Sequence, residues 1–128
     1  MLDASALMAF FEDRSGAEKV EELITLAMQS KRELLMSVVN WGEVYYSIWR
    51  TRGREAAQKA LAEIAQLPIE IVDADLELTK LAAEFRAQNK LPYADCFPAA
   101  LAKLHRVALV ASDLDFRTVD QEILLELV

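Results

Sequence analysis

Three short apolar runs, Leu34–Met36, Ile69–Val72 and Val107–Ala111, constrain this chain more than any other feature. The stretches between them are as long as a βαβ crossover, about 30 residues or more, and carry helical periodicity. Runs this short and this apolar fit strands covered on both faces, and parallel strands need crossovers of this length. The pattern therefore predicts an α/β chain: a three-layer sandwich with a short central parallel sheet flanked by helices.

The helices can be placed from their apolar spacing. Met1–Asp3 reads as the stub of a first strand, followed by a short helix over Ser5–Phe11. Val20, Leu23, Ile24, Ala27 and Met28 form one apolar face, and Trp41, Val44, Tyr45, Ile48 and Trp49 form another, with Ser37 available as its N-cap. Gly53 breaks that helix, Ala57, Ala60, Leu61, Ile64 and Ala65 mark the next, and Pro68 ends it. Asp73 is expected to cap a helix running to about Gln88, with Leu78, Leu81, Ala82 and Phe85 inward. A last helix spans about Tyr93 to His105 with Pro98 in its first turn, where a missing N–H costs little. Ile123–Val128 supplies a final strand.

Composition removes several classes of function. A chain of 128 residues fits one domain, residues 1–128, with a sizeable core. No apolar stretch approaches the about 18 residues of a membrane span, and no secretory signal is expected at Met1-Leu2-Asp3. Cys96 is the only cysteine, which excludes an internal disulfide and suits a reducing cytoplasm. His105 is the only histidine, which excludes multi-histidine zinc sites and leaves no Ser-His-Asp or Cys-His machinery with obvious partners. No glycine-rich phosphate cradle occurs. The net charge of −7 argues against a general nucleic-acid binder, although bound divalent cations would offset acids gathered in one cleft.

Carboxylates are what remains for chemistry. Asp3, Glu43, Asp95 and Asp113 each stand just past a hydrophobic run. In an open parallel sheet ligands collect at the carboxyl ends of the strands. Asp3 ends the first strand, and Asp113 lies two residues beyond Ala111. Glu43 follows the Leu34–Met36 strand by about two helical turns. Asp95 opens a helix that must start at the same edge. Gathered there, the four would form an oxygen-only set suited to a hard divalent cation, and so to a metal-dependent phosphodiesterase. The competing explanation is that acids at helix starts merely accept free N–H groups and favour the helix dipole; Asp73 and Asp75 fit that description.

With their neighbours, these acids resemble the blocks of the PIN-domain ribonucleases, specifically the VapC-type toxins of toxin–antitoxin pairs. The blocks are Leu2-Asp3-Ala4-Ser5-Ala6-Leu7, Ser37-Val38-Val39-Asn40-Trp41-Gly42-Glu43-Val44, Leu91-Pro92-Tyr93-Ala94-Asp95-Cys96, and Leu109-Val110-Ala111-Ser112-Asp113-Leu114-Asp115-Phe116, in that order and over essentially the whole chain. The resemblance implies that Asp3, Glu43, Asp95 and Asp113, with Asp115 as a further ligand, hold Mg²⁺ or Mn²⁺ for hydrolysis of RNA. It also implies that Ser5, Asn40 and Ser112 orient them or their waters. It further implies a cognate antitoxin protein and homodimers. Two positions depart from the pattern: only Met1 and Leu2 precede the first Asp, and Pro98 stands where a small helical residue is usual.

Outside these blocks, Arg50, Arg52 and Arg54, with Lys59, form the densest basic segment, read either as RNA phosphate contacts or as a solvated corner. Arg86 and Lys90 are weaker candidates for such contacts. Trp41, Tyr45, Tyr46 and Trp49 could stack bases, but three of the four, Trp41, Tyr45 and Trp49, lie on an apolar stripe and are expected in the core or a subunit interface. Cys96 reads as a buried thiol. The alternatives are an inactive PIN-like scaffold or regulatory domain, and a Mg²⁺-dependent phosphatase. The latter needs a D-x-D at the first strand, and Asp3-Ala4-Ser5 lacks the second Asp.

Overall fold

The computed structural model describes residues 1–128. In chain order its elements are α1 (Ala4–Phe11), α2 (Ala17–Ser30), β1 (Leu34–Ser37), α3 (Val38–Arg52), α4 (Arg54–Gln66), β2 (Ile69–Val72), α5 (Leu76–Gln88), α6 (Tyr93–His105), β3 (Leu109–Ala111), a 3₁₀ turn (Leu114–Val119) and β4 (Leu125–Leu127). No helix is long and apolar enough to cross a membrane.

β1 and β2 pair in parallel from Leu34–Ile69 to Ser37–Val72, and β3 and β4 pair in parallel from Leu109–Leu125 to Ala111–Leu127. The amino-terminal stub joins the two pairs. The Leu2 N–H donates to the Leu35 carbonyl at 2.8 Å. On the other side the Val110 N–H donates to the Met1 carbonyl at 2.8 Å, and the Asp3 N–H to the Val110 carbonyl at 3.2 Å. The edge-to-edge order is thus β2, β1, Met1–Asp3, β3, β4. The chain builds outward on one side of its first segment, then returns to build on the other. That reversal is a topological switch point, and Asp3 stands at its carboxyl end.

The period of two along each strand divides the core. Leu2, Leu34, Met36, Ile69, Ile71 and Val110 face α1 to α4, whereas Met1, Leu35, Val72, Leu109 and Ala111 face α5 and α6. Leu2, Leu7, Met36, Leu101 and Phe116 are fully buried, each contributing about 1.5–3 kcal/mol. The expected parallel sheet between helical layers is what the chain forms.

Several local expectations need correcting. Asp75, not Asp73, caps α5, its carboxylate accepting the Leu78 N–H at 2.9 Å. The chain runs two further non-helical residues out of β2 before turning, and α5 buries Leu78, Ala82 and Phe85. Pro98 is not in the first turn of α6 but inside the helix, where the carbonyl four residues earlier loses its donor. The last two strands are shorter than expected, β3 starting at Leu109 rather than Val107 and β4 spanning Leu125–Leu127 rather than Ile123–Val128. Ser37 caps α3 by accepting the Val39 N–H, and Gly53 separates α3 from α4, as expected.

Gly16 enters α2 with φ +95°, and a Cβ there would lie 2.7 Å from the Val128 carbonyl carbon. Backbone strain and overlap act together, so Gly16→Ala is expected to lose about 2–4 kcal/mol in urea denaturation. Gly42 lies inside α3 with open space at its Cβ position. Gly42→Ala should instead gain about 0.5–1 kcal/mol. Similar midpoints for the two variants would contradict this account of Gly16.

Candidate active site

Asp3 is 2% exposed and caps α1. Its Oδ1 accepts the Ala6 N–H at 2.9 Å, and Ser5 Oγ stands 2.8 and 2.7 Å from its two oxygens. Ser5 is fixed in turn from β3: the Ser112 N–H donates to Ser5 Oγ at 3.0 Å, and Ser112 Oγ donates to the Ser5 carbonyl at 3.2 Å. The start of α1 is thereby tied to the residue preceding Asp113. Asp113 opens the 3₁₀ turn, its Oδ1 accepting the Asp115 N–H at 2.9 Å.

Glu43 is held from its own helix and from α6. Asn40 Nδ2 donates to Glu43 Oε1 at 2.7 Å and to the Ala94 carbonyl at 3.2 Å. Asn40 is fully buried, and its Oδ1 has no partner. Rotating the amide would turn that oxygen toward a carboxylate and a carbonyl, so the two acceptors dictate its orientation. Asp95 follows Ala94 in the first turn of α6.

The acids act on one another. Burial pushes the Asp95 carboxyl up to about 7, helped by the negative charges of Glu43, Asp3, Asp113 and Asp115. Burial likewise raises Asp3 to about 6, against the hydrogen bonds from Ala6 and Ser5, with Glu43 adding to the rise. Glu43 is raised by burial and lowered by its bond from Asn40. The chain's ion pairs, Arg14–Glu12, Lys19–Glu22, Lys19–Glu126 and Lys103–Glu122, involve none of the five acids.

Asp3, Glu43, Asp95, Asp113 and Asp115 thus share one electrostatic neighbourhood without a counter-charge. An oxygen-only donor set with uncompensated negative charge fits a hard divalent cation. No three of the chain's His, Cys, Asp and Glu side chains converge tightly enough to form a ready-made ligand set. Mg²⁺ retains several waters and takes only one or two carboxylates directly, so the splayed arrangement still fits it.

Arg50, Arg52 and Arg54 form no ion pair with the acids. They are exposed, at the end of α3 and the start of α4. Arg50 is about 10 Å along α3 from Glu43, and the Arg54 guanidinium lies over the Trp49 ring at 5.5 Å. Trp41 and Tyr45 pack against the core as expected, while Trp49 and Tyr46 remain exposed. Cys96 is buried, and burial with the Asp95 charge raises its thiol to about 11, so it is an unreactive packing group. What the motifs did not disclose is the Ala94 carbonyl as a partner of Asn40; the signal was Pro98, four residues later.

The PIN domain family profile matches residues 1–122. The chain belongs to the PIN-domain family. Its fold is that of solved VapC-containing structures. It is similar to VapBC2 from Rickettsia felis bound to a promoter DNA fragment (18% identity, 100% of this chain and 97% of that one, TM-score 0.77). DNA-bound VapBC from Salmonella typhimurium is comparably similar (18%, 98% and 95%, 0.75). So is VapC20 from Mycobacterium tuberculosis, a Sarcin-Ricin loop cleaving toxin (17%, 91% and 91%, 0.69). No curated protein matches the sequence. Within this PIN domain the gathered acids stand at the switch point of the sheet.

Proposed function

We propose that this PIN domain is a divalent-metal-dependent endoribonuclease and the toxin of a toxin–antitoxin pair. The observation that carries the reading is the set of acids without counter-charge at the sheet's switch point. Asp3, Glu43, Asp95 and Asp113, with Asp115 beside them, would hold Mg²⁺ or Mn²⁺. When bound, the ion supplies Lewis acidity toward the scissile phosphate and makes a water nucleophilic near neutral pH.

The chain's own residues prepare that site. Ser5 and Ala6 fix Asp3, and Ser112 fixes Ser5. Asn40 occupies Glu43 Oε1, leaving Oε2 free, while the Asp115 N–H occupies Asp113 Oδ1, leaving Oδ2 free. Asp95 retains a proton up to a pH of about 7 when no cation is present, so cation and proton compete for it. No histidine is required. Arg50, Arg52 and Arg54 offer phosphate contacts that position a strand without reading its bases.

Support for RNA as substrate comes from the loop-cleaving activity of the Mycobacterium tuberculosis relative. Support for an antitoxin partner comes from the VapBC assemblies of the other two. Assembly as a homodimer belongs to the same reading.

The test is cleavage of a panel of structured RNAs by the purified chain in Mg²⁺ or Mn²⁺. Cutting is expected with either ion and should stop in EDTA. Cutting that persists in EDTA, or the absence of both cutting and calorimetric Mn²⁺ binding, would overturn the proposal.

A further inference from the structure

Proline inside a helix ordinarily weakens it, and α6 carries one at Pro98, fully buried. Two consequences of proline act on one atom here. Pro98 has no N–H to donate to the Ala94 carbonyl, and its ring presses that carbonyl away from the helical line. The Ala94 carbonyl receives a hydrogen bond from outside the helix instead: Asn40 Nδ2, 3.2 Å away on α3. The other hydrogen of the same NH₂ goes to Glu43 Oε1 at 2.7 Å.

We propose that Pro98 is a positioning residue for the acidic site. By leaving the Ala94 carbonyl to Asn40, it fixes the amide that holds Glu43 against the turn bearing Asp95. The inference deepens the metal-nuclease reading and rests on it for its consequence, although the hydrogen-bond relay itself does not. Asn40 has no third anchor, because its Oδ1 is unpartnered. If the carbonyl were drawn back into the helix by a restored N–H, the amide would lose one of its two acceptors. Glu43 would then lose its fixed relation to Asp95.

The experiment compares Pro98→Ala and Pro98→Val with the wild-type chain. Both variants restore the N–H, while one removes buried volume and the other adds it. The first readout is the Asn40 side-chain NH₂ pair in ¹H–¹⁵N spectra of the metal-free protein, assigned by its loss in Asn40→Ala. Both Pro98 variants should shift that pair toward the position of a free amide. The second readout is calorimetric affinity for Mn²⁺ alone, expected to fall about three- to tenfold in both variants and in Asn40→Ala. Pro98→Ala combined with Asn40→Ala should bind no more weakly than Asn40→Ala.

An unmoved NH₂ pair would overturn the proposal, as would a Mn²⁺ loss confined to one Pro98 variant, which marks a packing effect. Additive losses in the double variant would also overturn it. A pair shifted in both Pro98 variants, with no Mn²⁺ binding by the wild-type chain, would sustain the relay and overturn the metal reading instead.

Discussion

Asp95→Asn is expected to lower RNA cleavage by at least about 10²–10³-fold, the effect of deleting one group that organises transition-state charge. The same substitution should make the metal-free protein more stable. Asp95 is raised to about 7 by burial and then by four neighbouring negative charges, so ionising it in the folded chain is unfavourable. A carboxyl whose folded pKa exceeds its unfolded value favours the folded state only while protonated. Its contribution is fully present below the model-peptide value of 3.8 and is lost as pH rises to about 7. The neutral amide escapes that loss. Because Asp95 is partly exposed, solvent screening leaves on the order of 1–2 kcal/mol, or a Tm rise of roughly 3–6 °C at pH 8. The rise should vanish near pH 4. Thermal melts across that range check the sign, and a variant less stable than wild type at pH 8 would mean that Asp95 is a structural residue.

The opposition between activity and stability also explains why the acids were visible in the sequence. A fold has no structural need for five carboxylates that repel one another without a cation among them. Each could pass alone as a helix cap, and Asp3 does cap α1 while Asp113 opens the 3₁₀ turn. The acids' joint placement at one sheet edge set the capping explanation aside in the sequence, and in the structure neither Glu43 nor Asp95 accepts a helix N–H. The parallel sheet was legible for a similar reason. Leu109–Ala111 has no polar residue and is buried throughout, which is how a strand covered on both sides reads, whereas Ile69–Val72 carries one exposed charge at Glu70.

What escaped the sequence depended on register and three-dimensional neighbours. Asp73 and Asp75 both look like caps, and the structure gives the Leu78 N–H to the second. Met1–Asp3 reads as no more than the stub of a strand, with two residues before Asp3. They suffice because Met1–Asp3 bonds to neighbours on both sides, drawing its order from β1 and β3 rather than from its own length. Pro98 is the sixth residue of a helix that starts at Tyr93, so its interior position can be counted. What cannot be read is its partner arrangement, because the Ala94 carbonyl it leaves free is taken by Asn40, 58 positions before Pro98 on another helix. The basic segment on α3 and α4 was readable as charge, but the seat of the Arg54 guanidinium over the Trp49 ring was not.

Mg²⁺ or Mn²⁺ should raise Tm strongly at pH 8 and hardly at all at pH 5. An ion that binds only the folded chain stabilises it by RT ln(1 + [L]/Kd), about 2.7 kcal/mol at a hundredfold excess over Kd. For a chain of this size that is a shift of roughly 8–10 °C. Near pH 5 the metal-free site is largely protonated at Asp95, raised to about 7, and at Asp3, raised to about 6, so the cation must displace protons to enter. Apparent affinity then falls about tenfold for each pH unit per proton displaced. Scanning calorimetry with and without 5 mM Mn²⁺ at both pH values measures the difference directly. An equal shift at pH 5 and pH 8 would place the ion away from Asp3 and Asp95. In Asp95→Asn the shift at pH 8 should shrink toward that of wild type at pH 5, because substituting the carboxyl and protonating it remove the same negative charge. The two manipulations meet at one site, so agreement between them would identify the group that the cation and the proton both seek.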